Sequence, residues 1–455
     1  MKSFLVPAAM IASLSIATGA VAGDLTPVVG DWYGTLNAGV SLPLVFHIKP
    51  DGAATIDSPA QGAKDLPAKA VLTGRSLSLT MLQPQAVFEA ELSPDGAALT
   101  GQWRQNGGNL PLTLTRTAVA AAKRPQTPVP PFPYRAEEVA YVNPVSKLKL
   151  AGTLTLPPGN GPFPVALLIT GSGAQDRDET ILGHKPFAVL ADALTRKGVA
   201  VLRVDDRGVG GSQAGSKDDT SADFATDVEA GVAFLRGRPD IDPKRVGLIG
   251  HSEGGLIAPL VAAKDPRIAF VVLMAGPGVD GETVILSQNR AIALASGQSP
   301  QQVEAAIARK KPAFDAVRTA PDEATALARL DALLKQPGAP TDQAAINQVR
   351  ALAAPWWRYF LASQPAVALR QVKAPILAVG GGKDLQVNAA ENLPAIRAAT
   401  VGNPDVTTRD LRGLNHLFQM ADTGLPSEYS QIEETIDPAA LDLIVDWTVA
   451  HAKPR

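Results

Sequence analysis

A proline-rich stretch separates two different hydrophobic patterns in this chain. Five prolines lie between Lys123 and Pro133, and such a segment can join neither a helix nor a central strand. It predicts a stiff, extended linker over residues 121–134. Before it, short apolar alternations separated by turn residues predict a small all-β domain over residues 24–120, either a barrel or a sandwich. The clearest alternations are Leu44–Ile48, Ser76–Thr80 and Leu110–Leu114.

After the linker, buried apolar runs alternate with helical segments, which is typical of a doubly wound, mostly parallel sheet covered by helices. This α/β domain is predicted over residues 135–455. Between about 277 and 370 the strand series stops and Ala-rich and Gln-rich helical segments replace it, which predicts a helical cap inserted into the domain. The predicted strands are 164–170, 199–204, 245–249, 268–274, 376–380 and 406–411, and the predicted helices are 185–197, 221–236 and 253–263.

The composition indicates a globular protein and excludes several kinds of binding site. A chain of 455 residues is too long for one ordinary core, and 45% hydrophobic with 19% charged residues is typical of a globular protein. A formal charge of -2 gives nucleic acid no reason to bind. The absence of cysteine excludes disulfides, thiolate metal sites and a cysteine nucleophile. Five histidines without metal-ligand spacing predict that no metal is bound. Oligomeric state is left without a prediction.

The first residues have the pattern of an export signal. Lys2 precedes an apolar stretch from Phe4 to Ile16, and Ala20-Val21-Ala22 supplies the small residues of a cleavage site. The alternative, a single membrane anchor, needs roughly 20 apolar residues, and this stretch is shorter. We therefore predict a signal peptide over residues 1–22, a periplasmic or secreted protein, and no stable membrane insertion after cleavage.

A GxSxG pattern lies between a predicted strand and a predicted helix. Ser252 is its central residue, and Gly250 and Gly254 flank it. Serine is a weak nucleophile that must be exposed and held near a base, and a sharp strand-to-helix turn with small neighbours achieves both. The five-residue pattern is weak by itself, but its context predicts that Ser252 is a catalytic nucleophile.

The base is expected to follow the nucleophile in the chain, at the end of a later strand. Only two histidines follow Ser252. His416 comes after the predicted strand 406–411, whereas His451 lies in the last residues and is interpreted as a solvated tail residue. His416 is therefore the predicted base, with a hydrogen-bonded loop histidine as the alternative.

The acid that orients the base is expected on the loop after strand 376–380, where Asp384 follows three glycines. Asp384 can alternatively serve as the N-cap of the following helix. Asp205 and Asp206 are rival acids, but they precede the nucleophile and are interpreted as part of a turn after their own strand. The predicted triad is completed by Asp384.

An oxyanion requires two backbone donors. Glu253 N–H follows the nucleophile at a helix start, and Ser172 N–H lies on a loop in which Gly171 and Gly173 let backbone approach a substrate. The polar and charged residues 175–178 either brace this loop or form a solvated turn. A phosphate-binding interpretation is rejected because the loop lacks the Lys-Ser/Thr ending of a P-loop. The aromatic residues 356–360 either line an acyl pocket or pack in the cap.

Three segments together resemble a known family. In order, they read Thr-Gly-Ser-Gly-Ala-Gln-Asp-Arg-Asp at 170–178, Asp-Asp-Arg-Gly-Val-Gly-Gly-Ser at 205–212 and Gly-His-Ser-Glu-Gly at 250–254. They are similar to the α/β-hydrolase superfamily, and within it to bacterial carboxylesterases that carry a Gly-Ser-Gly oxyanion loop followed by Gln-Asp-Arg-Asp. The resemblance covers residues 134–455 and implies hydrolysis of short-acyl esters without a cofactor. The chain departs from many relatives at Thr170, where they have His.

The predicted function is therefore an esterase that acts on a small-molecule ester. A peptidase of the prolyl-aminopeptidase-like branch, or a thioesterase, is the alternative on the same fold, and a non-catalytic binding protein is an alternative of a different class. The β-rich segment resembles an accessory domain found ahead of such hydrolases, through Gly30–Gly34, Leu44–Ile48 and Asp57–Pro59. A module that binds lipid or cell wall, or a docking partner of the cap, fits that segment equally well.

Overall fold

The structure is a computed structural model that describes residues 24–37, 41–59, 63–83, 85–105, 108–118 and 123–453. The predicted signal peptide, residues 1–22, lies outside these ranges. The described residues contain a closed β-barrel and an eight-stranded sheet. No helix within these ranges is long and apolar enough to cross a membrane.

The barrel is formed by eight strands in sequential order, closed by antiparallel pairing of β1 with β8. The prediction of an all-β domain is confirmed, and its form is a barrel. A barrel and a sandwich have the same alternation of apolar and polar residues, so the sequence pattern could not separate them. The strands are β1 Gly30–Asn37, β2 Ser41–Ile48, β3 Ala53–Ser58, β4 Ala63–Thr73, β5 Ser76–Leu82, β6 Gln85–Leu92, β7 Ala98–Gln105 and β8 Gly108–Thr115.

The interior of the barrel is filled by aromatic and aliphatic side chains. Trp32, Phe46 and Phe88 are each 0% exposed. The ring of Phe46 lies 5.6 Å from that of Phe88 and 6.1 Å, edge-on, from that of Trp103. Such contacts give the barrel a core of its own.

The second sheet has the strand order β16-β15-β14-β13-β11-β12-β10-β9. From β16 to β12 neighbouring strands run parallel, whereas β10 pairs antiparallel with both β12 and β9. The strands are β9 Arg135–Val142, β10 Lys149–Leu156, β11 Phe163–Ile169, β12 Ala200–Val204, β13 Ile241–His251, β14 Val271–Met274, β15 Ile376–Gly381 and β16 Val406–Leu411.

The strands β11 to β15 fall where continuous apolar runs predicted them. The strands β11, β14 and β15 are buried over most or all of their length, as expected for parallel strands covered on both faces. The strand β16 forms at the predicted residues 406–411, but the prediction that it is buried was wrong, because it lies at the edge of the sheet and none of its residues is buried. The antiparallel strands β9 and β10 were not predicted. Only Tyr141 of β9 is buried, so this edge strand lacks the continuous apolar run that marks a central parallel strand.

Eleven α-helices are present in the described residues, and three of them follow β11, β12 and β13 as the sequence predicted. The remaining ones include six between β14 and β15, where a helical cap was expected. The helices are α1 Pro186–Arg196, α2 Ser221–Arg236, α3 Glu253–Lys264, α4 Gly281–Ala295, α5 Pro300–Arg318, α6 Glu323–Leu333, α7 Gln343–Ala351, α8 Pro355–Ala362, α9 Pro365–Leu369, α10 Ala389–Ala399 and α11 Pro438–His451.

The helices between β14 and β15 begin at local capping residues. Asp280 accepts a hydrogen bond from Thr283 N–H at the start of α4, and Ser299 forms a capping box with Gln302 at the start of α5. These helices enclose a small apolar core of their own. Its buried members are Phe314, Val317, Ala326, Leu330, Ala353 and Leu361.

The proline-rich segment forms neither helix nor strand from residue 123 to 134. Its first half is nevertheless held in place. The guanidinium of Arg124 donates to the backbone carbonyls of Leu182, Ser430 and Ile432, and the amide of Gln126 exchanges hydrogen bonds with the backbone near Ile436. This anchoring was not visible in the proline pattern that predicted a linker.

Candidate active site

The turn between β13 and α3 holds Ser252 in a strained conformation. Its φ of 52° and ψ of -115° lie outside the regions that side chains ordinarily adopt. The Ser252 N–H donates to the Met274 carbonyl at 2.9 Å, and Gly255 N–H donates to the Ser252 carbonyl at 2.9 Å. These bonds fix the serine at the carboxyl end of the sheet, where its side chain is only half-buried.

The two glycines of the turn leave no room for a side chain. A Cβ on Gly250 would lie 2.0 Å from the Gly254 carbonyl oxygen, and one on Gly254 would lie 2.1 Å from the Ile169 carbonyl oxygen. Both distances are far inside van der Waals contact. The chain therefore doubles back at Ser252 only because both positions lack a Cβ.

His416 and Asp384 lie on neighbouring loops after β16 and β15, and they form a direct pair. Nδ1 of His416 is 2.8 Å from Oδ2 of Asp384, and both side chains are buried. The other oxygen of Asp384 accepts the backbone N–H groups of Gln386 and Val387 at 2.8 and 2.9 Å. The N-cap of the following helix α10 is Asn388. Asp384 is therefore held by backbone donors while it faces the imidazole.

The alternative assignments fall elsewhere in the structure. His451 is the last residue of α11 and stacks on Trp447 at 3.8 Å, so it is a helix residue and not part of a solvated tail. Asp205 forms hydrogen bonds with the Arg177 guanidinium. Asp206 accepts the Thr170 hydroxyl at 2.8 Å. The carboxylate that the structure brings to His416 Nδ1 is that of Asp384.

The loop after β11 approaches Ser252 closely. A Cβ on Gly171 would lie 3.3 Å from the Ser252 Cβ, and Gly173 has a φ of 99°, which favours glycine. Glu253 N–H is the first of its helix and has no intrahelical partner. Neither Ser172 N–H nor Glu253 N–H forms a hydrogen bond within the part of the chain that the structure describes. Both donors are thus unengaged near Ser252.

The charged residues after this loop brace it. Arg177 donates to both oxygens of Asp205 at 3.0 and 2.7 Å and also contacts Glu138. Asp206 accepts the Gln175 N–H at 2.9 Å. These hydrogen bonds and the buried Asp205 carboxylate support bracing and not a solvated turn.

Two residues of the site were not found from sequence. Glu179, which is buried, accepts the Gly171 N–H at 2.7 Å and lies 2.9 Å from Nδ1 of His251. The ring of His251 lies 4.7 Å from that of His416. The sequence contains one signal for each residue. Glu179 directly follows the polar and charged segment 175–178, and His251 directly precedes Ser252.

A cavity of about 690 Å³ opens beside the loop of residues 171–174. Its walls include Ser172, Asp206, Phe224, Glu253 and Trp356 among polar and apolar residues of the sheet domain. On α8, Trp356 faces this cavity, whereas Phe360 is buried and stacks on Trp356 at 5.1 Å. The aromatic cluster is therefore both pocket wall and packing.

Two carboxyl groups of the cavity wall have raised pKa values. Burial raises the pKa of Asp206 to about 7, and the nearby Glu179 and Glu253 carboxyls add to the rise. Burial also raises the pKa of Glu253, against the opposing effect of hydrogen bonds from Ser221 and Trp356. Neither carboxyl forms an ion pair with Lys or Arg in the described ranges.

The same ranges contain no group of three or more His, Asp or Glu side chains arranged to hold a metal ion. The chemistry that these residues can perform is proton transfer and nucleophilic attack. Ser252, His416 and Asp384 have the residue types for it, and the loop that carries Ser172 approaches the Ser252 side chain at Gly171.

The chain is similar in sequence to proteins that are named as an esterase and a thiohydrolase. The chain is 27% identical to esterase EstD of Thermotoga maritima over 301 residues, which are 66% of this chain and 65% of that protein. It is 32% identical to thiohydrolase aneE of Aspergillus aculeatus over 136 residues, 30% of this chain and 40% of that protein. The matched regions thus span less than two thirds of the length of these relatives.

Among solved structures, an α/β hydrolase, GrgF from Penicillium sp., covers 70% of this chain and 98% of its own, with 16% identity and a TM-score of 0.45. The family model described as X-Pro dipeptidyl-peptidase (S15 family) matches residues 147–401. The branch defined by the Gly-Ser-Gly-x-Gln-Asp-Arg-Asp loop stays a prediction. Because the family match covers more than half of the chain, the chain belongs to the peptidase S15 family of the α/β-hydrolase clan.

Proposed function

We propose that this protein is a serine hydrolase that cleaves short-acyl carboxylic esters through an acyl-enzyme. The observation that carries the proposal is the strained Ser252 at the end of β13, on the same sheet edge as the Asp384–His416 pair. A strained backbone costs folding free energy, and such strain is typically kept where it serves a function. A strained turn that exposes a serine is the arrangement expected for a nucleophile. No cofactor is part of the proposal.

In the acylation step, Nε2 of His416 takes the proton from the Ser252 hydroxyl, since Nδ1 faces Asp384. The Ser252 oxygen then bonds to the carbonyl carbon of the ester. The oxyanion that forms accepts the N–H groups of Ser172 and Glu253. His416 returns its proton to the alkoxide as the bond to the leaving group breaks, which releases an alcohol.

In the deacylation step, a water molecule takes the place of the alcohol. His416 accepts one proton from this water, and the water oxygen attacks the acyl carbon. The proton then passes to Ser252 as the serine ester breaks, which releases a carboxylic acid and restores the enzyme. Throughout, Asp384 fixes the ring tautomer and stabilises the imidazolium without taking up a proton itself.

The similarity to esterase EstD supports an ester as the substrate. Purified protein assayed with p-nitrophenyl esters of graded chain length tests the substrate class directly. We expect kcat/KM to be highest for short acyl chains. A maximum at long chains would contradict the short-acyl part of the proposal, and the absence of turnover on every ester would contradict the whole of it.

A peptidase that recognises a substrate amine is a second candidate. It is favoured by the S15 family match and by Asp206 and Glu253, which line the cavity without a cationic partner in the described residues. Carboxylates in such a position can bind an ammonium group. Comparing acyl esters with aminoacyl and X-Pro dipeptidyl anilides separates the two candidates. Faster turnover of the anilides would favour the peptidase.

Export is also part of the proposal, and it rests on the sequence pattern of residues 1–22 alone. Expression of the full chain in a Gram-negative bacterium, followed by fractionation and mass determination, tests it. A periplasmic or secreted protein that begins at Gly23 is expected. A full-length protein in the cytoplasm would contradict export.

A further inference from the structure

Glu179 connects two parts of the site that are far apart in the chain. The residue is 3% exposed and has a φ of 53°, a left-handed conformation that a side chain rarely adopts. A single oxygen, Oε1, accepts the Gly171 N–H at 2.7 Å and lies 2.9 Å from Nδ1 of His251. One carboxylate thereby holds the oxyanion loop and the residue before the nucleophile.

His251 continues this connection to the base. Its Nε2 lies 3.0 Å from the backbone carbonyl of His416, and a carbonyl can only accept, so Nε2 carries a proton. Its Nδ1 faces the Glu179 carboxyl group, so a hydrogen bond to that group fixes the other side of the ring. Burial lowers the pKa of His251, but the Glu179 carboxylate outweighs this effect and the pKa is raised above its ordinary value.

The two imidazole rings also pack together. The centroids of His251 and His416 are 4.7 Å apart, and both rings are buried. His416 is thus held at three points: by Asp384 at Nδ1, by His251 at its carbonyl, and by packing against the tilted His251 ring. The second and third points both depend on the orientation of His251, which Glu179 sets.

We propose that Glu179 is a positioning residue that aligns the oxyanion donor with the catalytic base. Through Gly171 it fixes the backbone that presents Ser172 N–H, and through His251 it fixes the backbone and ring of His416. The inference rests on the proposed function, because it assigns Glu179 a role in the same hydrolysis. Glu179 acts through Gly171 and His251, the two residues that its carboxyl group contacts.

The first test compares Glu179→Ala with Glu179→Gln. Alanine leaves the Gly171 N–H unpaired and releases His251, and misplacement of reacting groups by about 1 Å can cost about 10²-fold in rate. We expect kcat to fall by about that factor while KM changes less than about threefold. Glutamine retains an oxygen for Gly171 and an amide that can donate to Nδ1 of neutral His251, so kcat should recover at least about tenfold over alanine.

The matched control is Asp192→Ala. Asp192 is a partly buried carboxylate of α1 that accepts hydrogen bonds from Tyr134 and Arg196 and contacts no residue of the site. Its removal also takes away two hydrogen bonds and one charge. We expect a similar shift in the thermal midpoint with kcat unchanged. A kcat loss in both variants, in proportion to their midpoints, would overturn the positioning role.

His251→Phe keeps the test decisive if Glu179→Ala does not fold. Phenylalanine preserves a ring against His416 but removes both ring nitrogens and their hydrogen bonds. We expect kcat to fall about tenfold with KM nearly unchanged. Combined with Glu179→Ala in a folded protein, it should add little, because the two residues act in one chain of contacts.

The outcomes separate this inference from the proposed function. Wild-type protein that hydrolyses esters and reacts with a fluorophosphonate, together with the losses above, supports both. Wild-type activity retained in Glu179→Ala, or in His251→Phe where the alanine variant is unfolded, overturns the positioning role and leaves the proposed function intact. Wild-type protein that shows neither hydrolysis nor labelling overturns both.

Discussion

The barrel and the sheet domain bury different kinds of side chain. In the described barrel strands, the buried residues are almost all apolar, and Ser58 at the end of β3 is the buried polar side chain. In the sheet domain, Glu179, Asp205, His251, Glu253 and His416 are all buried. Burying charge costs free energy unless it is paired and hydrogen-bonded. The candidate site therefore lies in the domain that buries charged and titratable side chains.

The largest loss of turnover should come from removing the proposed base. His416→Ala eliminates the group that we propose accepts the Ser252 proton, and kcat should fall by about 10⁴- to 10⁶-fold. The control is His451→Ala, which removes the other histidine after Ser252 and should leave kcat unchanged. Both are measured on a p-nitrophenyl ester. Equal losses of kcat in the two variants, or a loss of kcat in the control alone, would show that His416 has no special role in the site.

Asp384→Asn should have the next largest effect. The amide can no longer accept the His416 Nδ1–H as a carboxylate does, so the ring favours the wrong tautomer and kcat should drop by about 10⁴-fold. Asp410→Asn, at an exposed position on the neighbouring strand β16, serves as the control. Circular dichroism verifies that both variants are folded. A folded Asp384→Asn variant with nearly full activity would place the orienting acid elsewhere.

Asp206 should make stability depend on pH. Its pKa of about 7 lies above the ordinary value of 3.8, so between these values the folded protein binds more protons than the unfolded chain. The free energy of unfolding should therefore fall as pH rises from about 4 to about 7. Urea denaturation of wild-type protein and of Asp206→Asn over this range measures the effect. The variant should show a smaller fall, and identical profiles would contradict the raised pKa.

A core substitution in the barrel should have the smallest effect on turnover. Phe88→Ala opens a cavity beside Phe46 and should cost about 3–5 kcal/mol of barrel stability. We expect kcat/KM on small esters to change less than about twofold at a temperature where the variant is folded. Thermal unfolding and ester assays at that temperature measure the two quantities. A large loss of kcat/KM in the folded variant would show that the barrel contributes to catalysis.

Much of the fold could be predicted because its signals are local. Continuous apolar runs mark β11 to β15, and the glycines around Ser252 mark the turn that the structure shows. The edge strand β9 was missed because it is mostly exposed and its pattern resembles a loop. The closure of the barrel depends on pairing β1 with β8, which no local pattern contains.

In the candidate site too, local signals could be predicted and contacts between distant residues could not. Ser252, Asp384 and His416 could be named because each follows a strand whose end lies at one edge of the sheet. Glu179 and His251 could not, since their contacts join residues that spacing in the sequence does not relate. Their roles depend on which nitrogen faces which oxygen, and such geometry appears only once the chain is folded.

Active-site labelling tests whether Ser252 is the nucleophile. A fluorophosphonate should react with the wild-type protein once, at Ser252, as mapped by peptide mass spectrometry. Ser252→Ala should remain folded, stay unlabelled and lose ester turnover by several orders of magnitude. Labelling of that variant at another serine, with turnover retained, would show that Ser252 is not the nucleophile and that the turn at Gly250–Gly254 is only structural.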